Sequence, residues 1–202
     1  MRDHDPDYPP ITPPLLRAGD KVRFVSPAST PDKEAIFRRA GILEAWGLKV
    51  DFGAHAFDKT GYLAGNDDDR LSDLNEALND PDVRAIFATR GGKGSYRIAD
   101  RLDFAAARRD PKFLIGFSDI TALHLSLWKH CRIVGVHGAL VENEDHSIRQ
   151  DSAQCLREIL LVGGQTILHA RPGEMTAALT TKGNAEGRLI GGNIGMVATT
   201  AG

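Results

Sequence analysis

Sulfur is scarce in this sequence, aromatic residues are few, and neither sign of charge dominates. Each shortage removes a class of protein. Two cysteines, Cys131 and Cys155, stand among 202 residues. They are too few for a disulfide framework, and their spacing matches no metal-ligand motif. Two unpaired thiols suit a reduced, cytoplasmic setting. The 25 basic and 27 acidic residues leave a formal net charge of -2. That balance supplies no electrostatic attraction to nucleic acid or to an anionic membrane. No apolar run approaches the roughly 18 residues that a membrane span requires. The opening "MRDHDPDYPPITPPLLRAGD" is acidic and rich in proline and has no apolar h-region. It reads as neither a signal peptide nor an anchor, and residues 1–14 read as a mobile extended arm.

What remains is the balance of a soluble globular protein, 42% hydrophobic and 26% charged. The length suffices for one full domain and part of a second. After the Gly19-Asp20 turn, "KVRFV" predicts a strand ending at Ser26-Pro27. The next helix takes Thr30 as N-cap and Pro31 as its first position, buries Ile36, Ala40 and Leu43, and stops at Gly47. "LKVDF" predicts an edge strand. "NDDDRLSDLNEALND" predicts a helix with Leu71, Leu74 and Leu78 as its buried stripe. "VRAIFAT", "KFLIGF" and "RIVGVHG" predict three more strands, with a helix over 119–130 between the last two. Strands alternating with helices imply an open, mostly parallel sheet flanked by helices on both faces, an α/β fold. It spans residues 15–142. Residues 143–174 read as a connector carrying one helix, capped at Asp151 and stopped at Gly163-Gly164. Residues 175–202, with strand-like pieces such as "GRLIGGNIGMVATT", read as the incomplete start of a small β-rich domain. Unpaired edges there predict either mobility beyond about residue 170 or association into a homodimer.

Three features fall where a parallel sheet binds ligands, at the carboxyl ends of its strands. "ATRGGKGSYR" carries a glycine loop whose backbone N–H groups can face an anion, but it is neither a P-loop nor a dinucleotide fingerprint. It equally reads as a plain glycine turn. Gly116-Phe117-Ser118-Asp119 sits between a strand and a helix, the context of a nucleophile elbow, although Ile120 stands where that motif has its second glycine. The competing reading is that Ser118 or Asp119 simply caps the helix. His137 ends "RIVGVHG" and reads as a base or as a hydrogen-bonded structural residue. His124 and His130, on the helix after Ser118, are weak candidates.

Together "GDKVRFVSPAS", "GYLAGNDDDRLSDLNEALNDPDVRAIFATRGGKGS", "PKFLIGFSDITALHLSL", "VHG" and "GRLIGGNIGM" resemble the LD-carboxypeptidases, serine peptidases that include the microcin C self-immunity peptidases. The resemblance implies an N-terminal domain related to class I glutamine amidotransferases and a small β-rich C-terminal domain. It implies Ser118 as nucleophile, and backbone N–H groups of Gly92 and Asp119 as oxyanion hole. Gly91, Lys93 and His137 become candidate substrate contacts, with no metal and no cofactor. The implied substrate is a murein tetrapeptide, cut before its terminal D-alanine during peptidoglycan recycling. The family often has an aromatic residue where Lys93 stands. Its triad glutamate and histidine lie after the "GGN" segment, beyond Gly202, and Glu186 does not map onto that glutamate. The chain is thus expected to be C-terminally truncated. The alternatives are an inactive N-terminal portion that binds without turnover, or an amidase for a peptidyl nucleotide.

Overall fold

The computed structural model describes residues 9–143, 145–169, 173, 175 and 177–200. Five parallel strands form one sheet in the order β2-β1-β3-β4-β5. They are β1 (Lys21–Val25), β2 (Lys49–Phe52), β3 (Val83–Ala88), β4 (Phe113–Gly116) and β5 (Val136–His137). The helices are α1 (Lys33–Ala45), α2 (Asp67–Asn79), α3 (Phe104–Arg109), α4 (Thr121–Cys131), α5 (Gln150–Arg157) and α6 (Ile194–Thr200). Two apolar cores, one per sheet face, hold the layers together. Leu71, Leu74 and Leu78 of α2 and Leu123 and Leu127 of α4 pack with Ile86 and Leu114 on one face. Ile36, Ala40 and Leu43 of α1 and Leu156 of α5 pack with Phe24, Phe87 and Ile115 on the other. Strands buried on both faces need apolar residues at consecutive positions, which is why "VRAIFA" and "FLIG" do not alternate.

Several boundaries differ from the sequence reading. Asp32, not Thr30, caps α1, accepting from the Ala35 N–H at 2.7 Å. Thr30 instead donates its hydroxyl to the Leu63 carbonyl at 2.8 Å. The "RIVGVHG" strand is shorter than expected: only Val136 and His137 pair with β4, and Ile133 makes an isolated bridge to Ile11. That bridge ties down residues 9–14, which are extended but docked: Ile11 N–H meets Arg132 O at 2.8 Å and Val134 N–H meets Ile11 O at 2.9 Å. Residues 1–8 lie outside the described part of the chain. α5 starts from Arg149, with Asp151 inside the first turn rather than capping it, and runs on through a wider turn over Glu158–Val162.

The largest difference is in "GRLIGGNIGMVATT". Among the described residues no strand follows β5, and the segment ends in the helix α6. Asn193 explains the change. Its side chain accepts from the Met196 N–H at 3.2 Å, its backbone N–H donates to Thr121 Oγ1 at 2.9 Å, and Met196 packs on the α4 core. A helix satisfies its own backbone groups without a neighbouring strand, whereas a lone strand leaves them open.

Candidate functional site

β1, β3 and β4 are adjacent, so the three loops leaving their carboxyl ends meet. The β4 strand runs into Phe117 and then Ser118, whose φ is +60°. A non-glycine residue in the left-handed region costs free energy and persists only when its surroundings impose it. Here they do so on three sides. Behind it, Gly116 makes room for Ile120: a Cβ there would lie 2.8 Å from Ile120 Cγ2. The glycine that the sequence motif lacks at 120 is therefore not needed, because Gly116 provides the space from the other side. Above it lies Gly91, where a Cβ would fall 2.9 Å from both Phe117 O and Ser118 Cβ. Beside it, the His137 Nε2 accepts from the Ser118 N–H at 3.3 Å. Ser118 is thus a half-exposed serine at a tight strand-to-helix turn, with the helical turn Ser118–Ile120 leading into α4.

The glycine loop is built against this turn. Gly92 has φ +118°, and a Cβ on it would collide with the Ser29 Oγ. Ser29, buried, accepts from the Lys93 N–H at 3.2 Å, and its own N–H donates to Gly91 O. The Lys93 side chain is exposed beside the site, as are Tyr62, whose hydroxyl lies near Gly92, and Tyr96. Past Gly94, Ser95 N–H donates to the Asp119 carboxylate at 2.8 Å and Ser95 Oγ donates to the Asp119 carbonyl at 2.6 Å. Gly91, Gly92, Lys93, Ser118, Asp119 and His137 are thus brought to one edge of the sheet.

His124 is not part of that group. It is buried, and its Nε2–H donates to the Leu114 carbonyl at 3.1 Å. Burial pushes its pKa down to about 4, partly offset by that hydrogen bond. It is a neutral core residue. His130 stacks on Phe104 with ring centroids 4.2 Å apart, far along α4 from the elbow. A cavity of about 860 Å³ lies on the β5 side, walled by His137, Trp128, Arg188 and Ile190; Ser118 and the glycine loop do not line it.

Among the described residues, His55, Asp58 and Asp69 bring donor atoms close enough to suggest a cation. Their arrangement suits a proton better. Asp58 sits 2.8 Å from Nδ1 and Asp69 4.0 Å from Nε2, so the carboxylates flank opposite nitrogens of one ring. The hydrogen bond to Asp58 raises the His55 pKa, helped by the charges of Asp73 and Asp69. Reading the sequence alone missed four residues that touch these loops: Ser29, Tyr62, Ser95, and Arg70, whose Nη1 donates to the Gly94 carbonyl at 3.1 Å. Only Arg70 left a signal. It lies four residues before Leu74 and eight before Leu78, in line with the buried stripe of α2.

Residues 22–138 match the LD-carboxypeptidase N-terminal domain. The chain belongs to the LD-carboxypeptidase family. It is 35% identical over 192 residues to a probable murein peptide carboxypeptidase of Bacillus subtilis, covering 94% of this chain and 59% of that protein. It is 31% identical over 191 residues to the murein tetrapeptide carboxypeptidase of Pseudomonas aeruginosa, covering 90% of this chain and 60% of that one. A crystal structure of an MccF-like protein from Bacillus anthracis superposes with a TM-score of 0.67 at 28% identity, covering 75% of this chain and 47% of the other. The chain therefore spans about six-tenths of the length of these carboxypeptidases. Membership makes it part of a hydrolase family, and the fold expectation of a mostly parallel sheet with helices on both faces holds. Among the described residues no helix is long and apolar enough to cross a membrane.

Proposed function

We propose that the chain carries the nucleophile and the oxyanion hole of a serine LD-carboxypeptidase that releases the terminal D-alanine of a murein tetrapeptide. One observation carries this: Ser118 holds φ +60° with Gly91 packed against it. A helix cap needs no such conformation, since caps sit in the extended region. In the proposed reaction, Ser118 Oγ attacks the scissile carbonyl and the backbone N–H groups of Gly92 and Asp119 face the developing oxyanion. The Oγ proton passes to a histidine and on to the D-alanine amine as its C–N bond breaks, and water then hydrolyses the acyl-Ser118 to release the shortened peptide and restore the hydroxyl.

Neither the buried His124 nor His137 at the sheet edge suits that proton transfer. His124 Nε2 is committed to Leu114, and His137 Nε2 meets the backbone N–H of Ser118 rather than being free to serve Oγ. The reading therefore assigns the base and its glutamate to the part of the relatives' length that this chain does not span. A serine without its base is a weak nucleophile, so the 202 residues alone are expected to be nearly inactive. No cofactor enters the chemistry. A cytoplasmic setting suits peptidoglycan recycling.

The test is D-alanine release from a murein tetrapeptide, measured by mass spectrometry on this chain and on the chain extended to the relatives' length. Release by the extended protein that disappears in Ser118→Ala supports the assignment; release that survives the substitution overturns it. Comparable turnover by the 202 residues alone would place the base within them. Likeness to MccF, whose structure is solved in complex with aspartyl sulfamoyl adenosine, supports a second reading, amide cleavage in a peptidyl nucleotide. An aminoacyl sulfamoyl nucleoside run as competing substrate separates the two.

A further inference from the structure

We propose that Arg70 is a positioning residue for the oxyanion loop: its buried guanidinium fixes the carbonyls of Pro27 and Gly94, and through them the loop that faces Ser118. The proposal rests on reading Ser118 as the nucleophile.

The Arg70 side chain is 0% exposed. Arginine keeps its charge at any ordinary pH, so burying it calls for a counter-ion and acceptors. Here both Nη atoms have them, and the buried Nε has no hydrogen-bond partner among the described residues. Asp67, one turn earlier on α2, is the counter-ion, bonded to Nη2. Nη1 donates to the Pro27 carbonyl and, at 3.1 Å, to the Gly94 carbonyl. Asp67 also accepts from Arg97 Nε at 2.7 Å, so one carboxylate joins the arginine under the loop to another just past it.

Both carbonyls lead to the site. Gly94 has φ +106°, and a Cβ there would lie 2.8 Å from Leu63 Cδ2 and 3.0 Å from Arg70 Nη1. The backbone is pressed onto the guanidinium. The next residue, Ser95, is bonded twice to Asp119, whose N–H is one proposed oxyanion donor. Pro27 leads in two residues to Ser29, which holds the backbone of Gly91 and Lys93 on either side of Gly92, the other proposed donor. Arg70 thus joins the two supports of the hole at a fixed separation. An apolar side chain of similar volume would fill the same space, and often at no loss of stability. It would not hold two carbonyls.

The test compares Arg70→Met and Arg70→Lys with the parent chain. Amide hydrogen exchange is read by NMR on this chain at Lys93, Ser95 and the β1 and β3 strands, and Ser118 labelling by a fluorophosphonate is timed on the chain extended to the relatives' length, which would carry the base. We expect the sheet amides to keep their protection in Arg70→Met while Ser95 exchange rises by about tenfold or more, the worth of roughly one lost hydrogen bond. Ser118 labelling should slow by a similar factor, and Arg70→Lys, able to reach one carbonyl, should fall between. Unchanged loop exchange in either folded variant overturns the proposal. A rise spread equally over the sheet overturns it too, because it shows general stability only. If the extended parent chain does not label, the nucleophile reading fails, and the exchange arm still decides the role of Arg70.

Discussion

Ser95 and Asp119 grip each other twice, backbone N–H to carboxylate at 2.8 Å and hydroxyl to carbonyl at 2.6 Å, with both residues buried. The glycine loop after β3 and the turn after β4 are thereby one rigid unit, although 24 positions separate the two residues. Buried hydrogen bonds cost most when only one partner is removed. Ser95→Ala should lower stability by about 1 kcal/mol, and Asp119→Ala by about 2–3 kcal/mol, because the second removes a charged acceptor and strands the buried Ser95 N–H, while the hydroxyl bond to the backbone carbonyl of residue 119 remains. Urea unfolding of each variant, with the midpoint read at constant slope, gives the comparison. Equal midpoints for Asp119→Ala and the parent would show that the grip contributes nothing.

Two glycines make a paired test of the site. At Gly91 an added Cβ meets backbone and Cβ atoms of the elbow at 2.9 Å, so something must shift. At Gly41, within α1, an added Cβ meets nothing within 4 Å. Gly91→Ala should cost about 1–3 kcal/mol from overpacking and, in the chain extended to the relatives' length, slow covalent labelling of Ser118. Gly41→Ala should stabilise by roughly 0.5–1 kcal/mol through helix propensity and leave labelling unchanged. Thermal unfolding and a labelling time course check both, and a Gly91→Ala protein that labels at the parent rate would detach this glycine from the site.

Two buried groups give opposite pH dependences. Desolvation raises the Asp73 carboxyl to about 6 from 3.8, against the N–H groups of His55 and Ala54 that favour its charged form. The folded state therefore holds that proton more tightly than the unfolded chain. Asp73 contributes stability that is full below about 4 and is lost as pH rises through about 6, roughly 2 kcal/mol between pH 4 and 7. His124 runs the other way. Its pKa falls from 6.5 to about 4, so its contribution is present above about 6.5 and is lost as pH falls toward 4. Chemical denaturation at pH 4.5 and 7 should show Asp73→Asn closing the gap on, or overtaking, the parent at the higher pH. In wild-type protein, the His124 ring resonances should stay those of a neutral imidazole at pH 5. A His124 that titrates near 6.5 would contradict its burial.

The layered α/β order was legible from the chain because it rests on local patterns. Apolar runs of four to six residues made the central strands, and Leu71, Leu74 and Leu78 at helical spacing made the face of α2. Ser118 was legible for the same reason, lying in the few residues between a buried strand and a helix. Where the sequence reading departed from the structure, the deciding contact was distant. Asn193 starts a helix partly because Thr121, 72 positions away, accepts its N–H. The "RIVGVHG" strand shortens because only two of its residues find β4.

Composition, periodicity and turn residues were thus enough to determine the sheet, the two helical faces and the place of a serine between a strand and a helix. Which glycine touches that serine, why Ile120 can replace a glycine, and why an arginine lies in the core were decided by the tertiary structure alone. The physical reason is that each depends on atoms brought within about 3 Å of each other by parallel pairing of β1, β3 and β4, and no spacing along the chain records such distances.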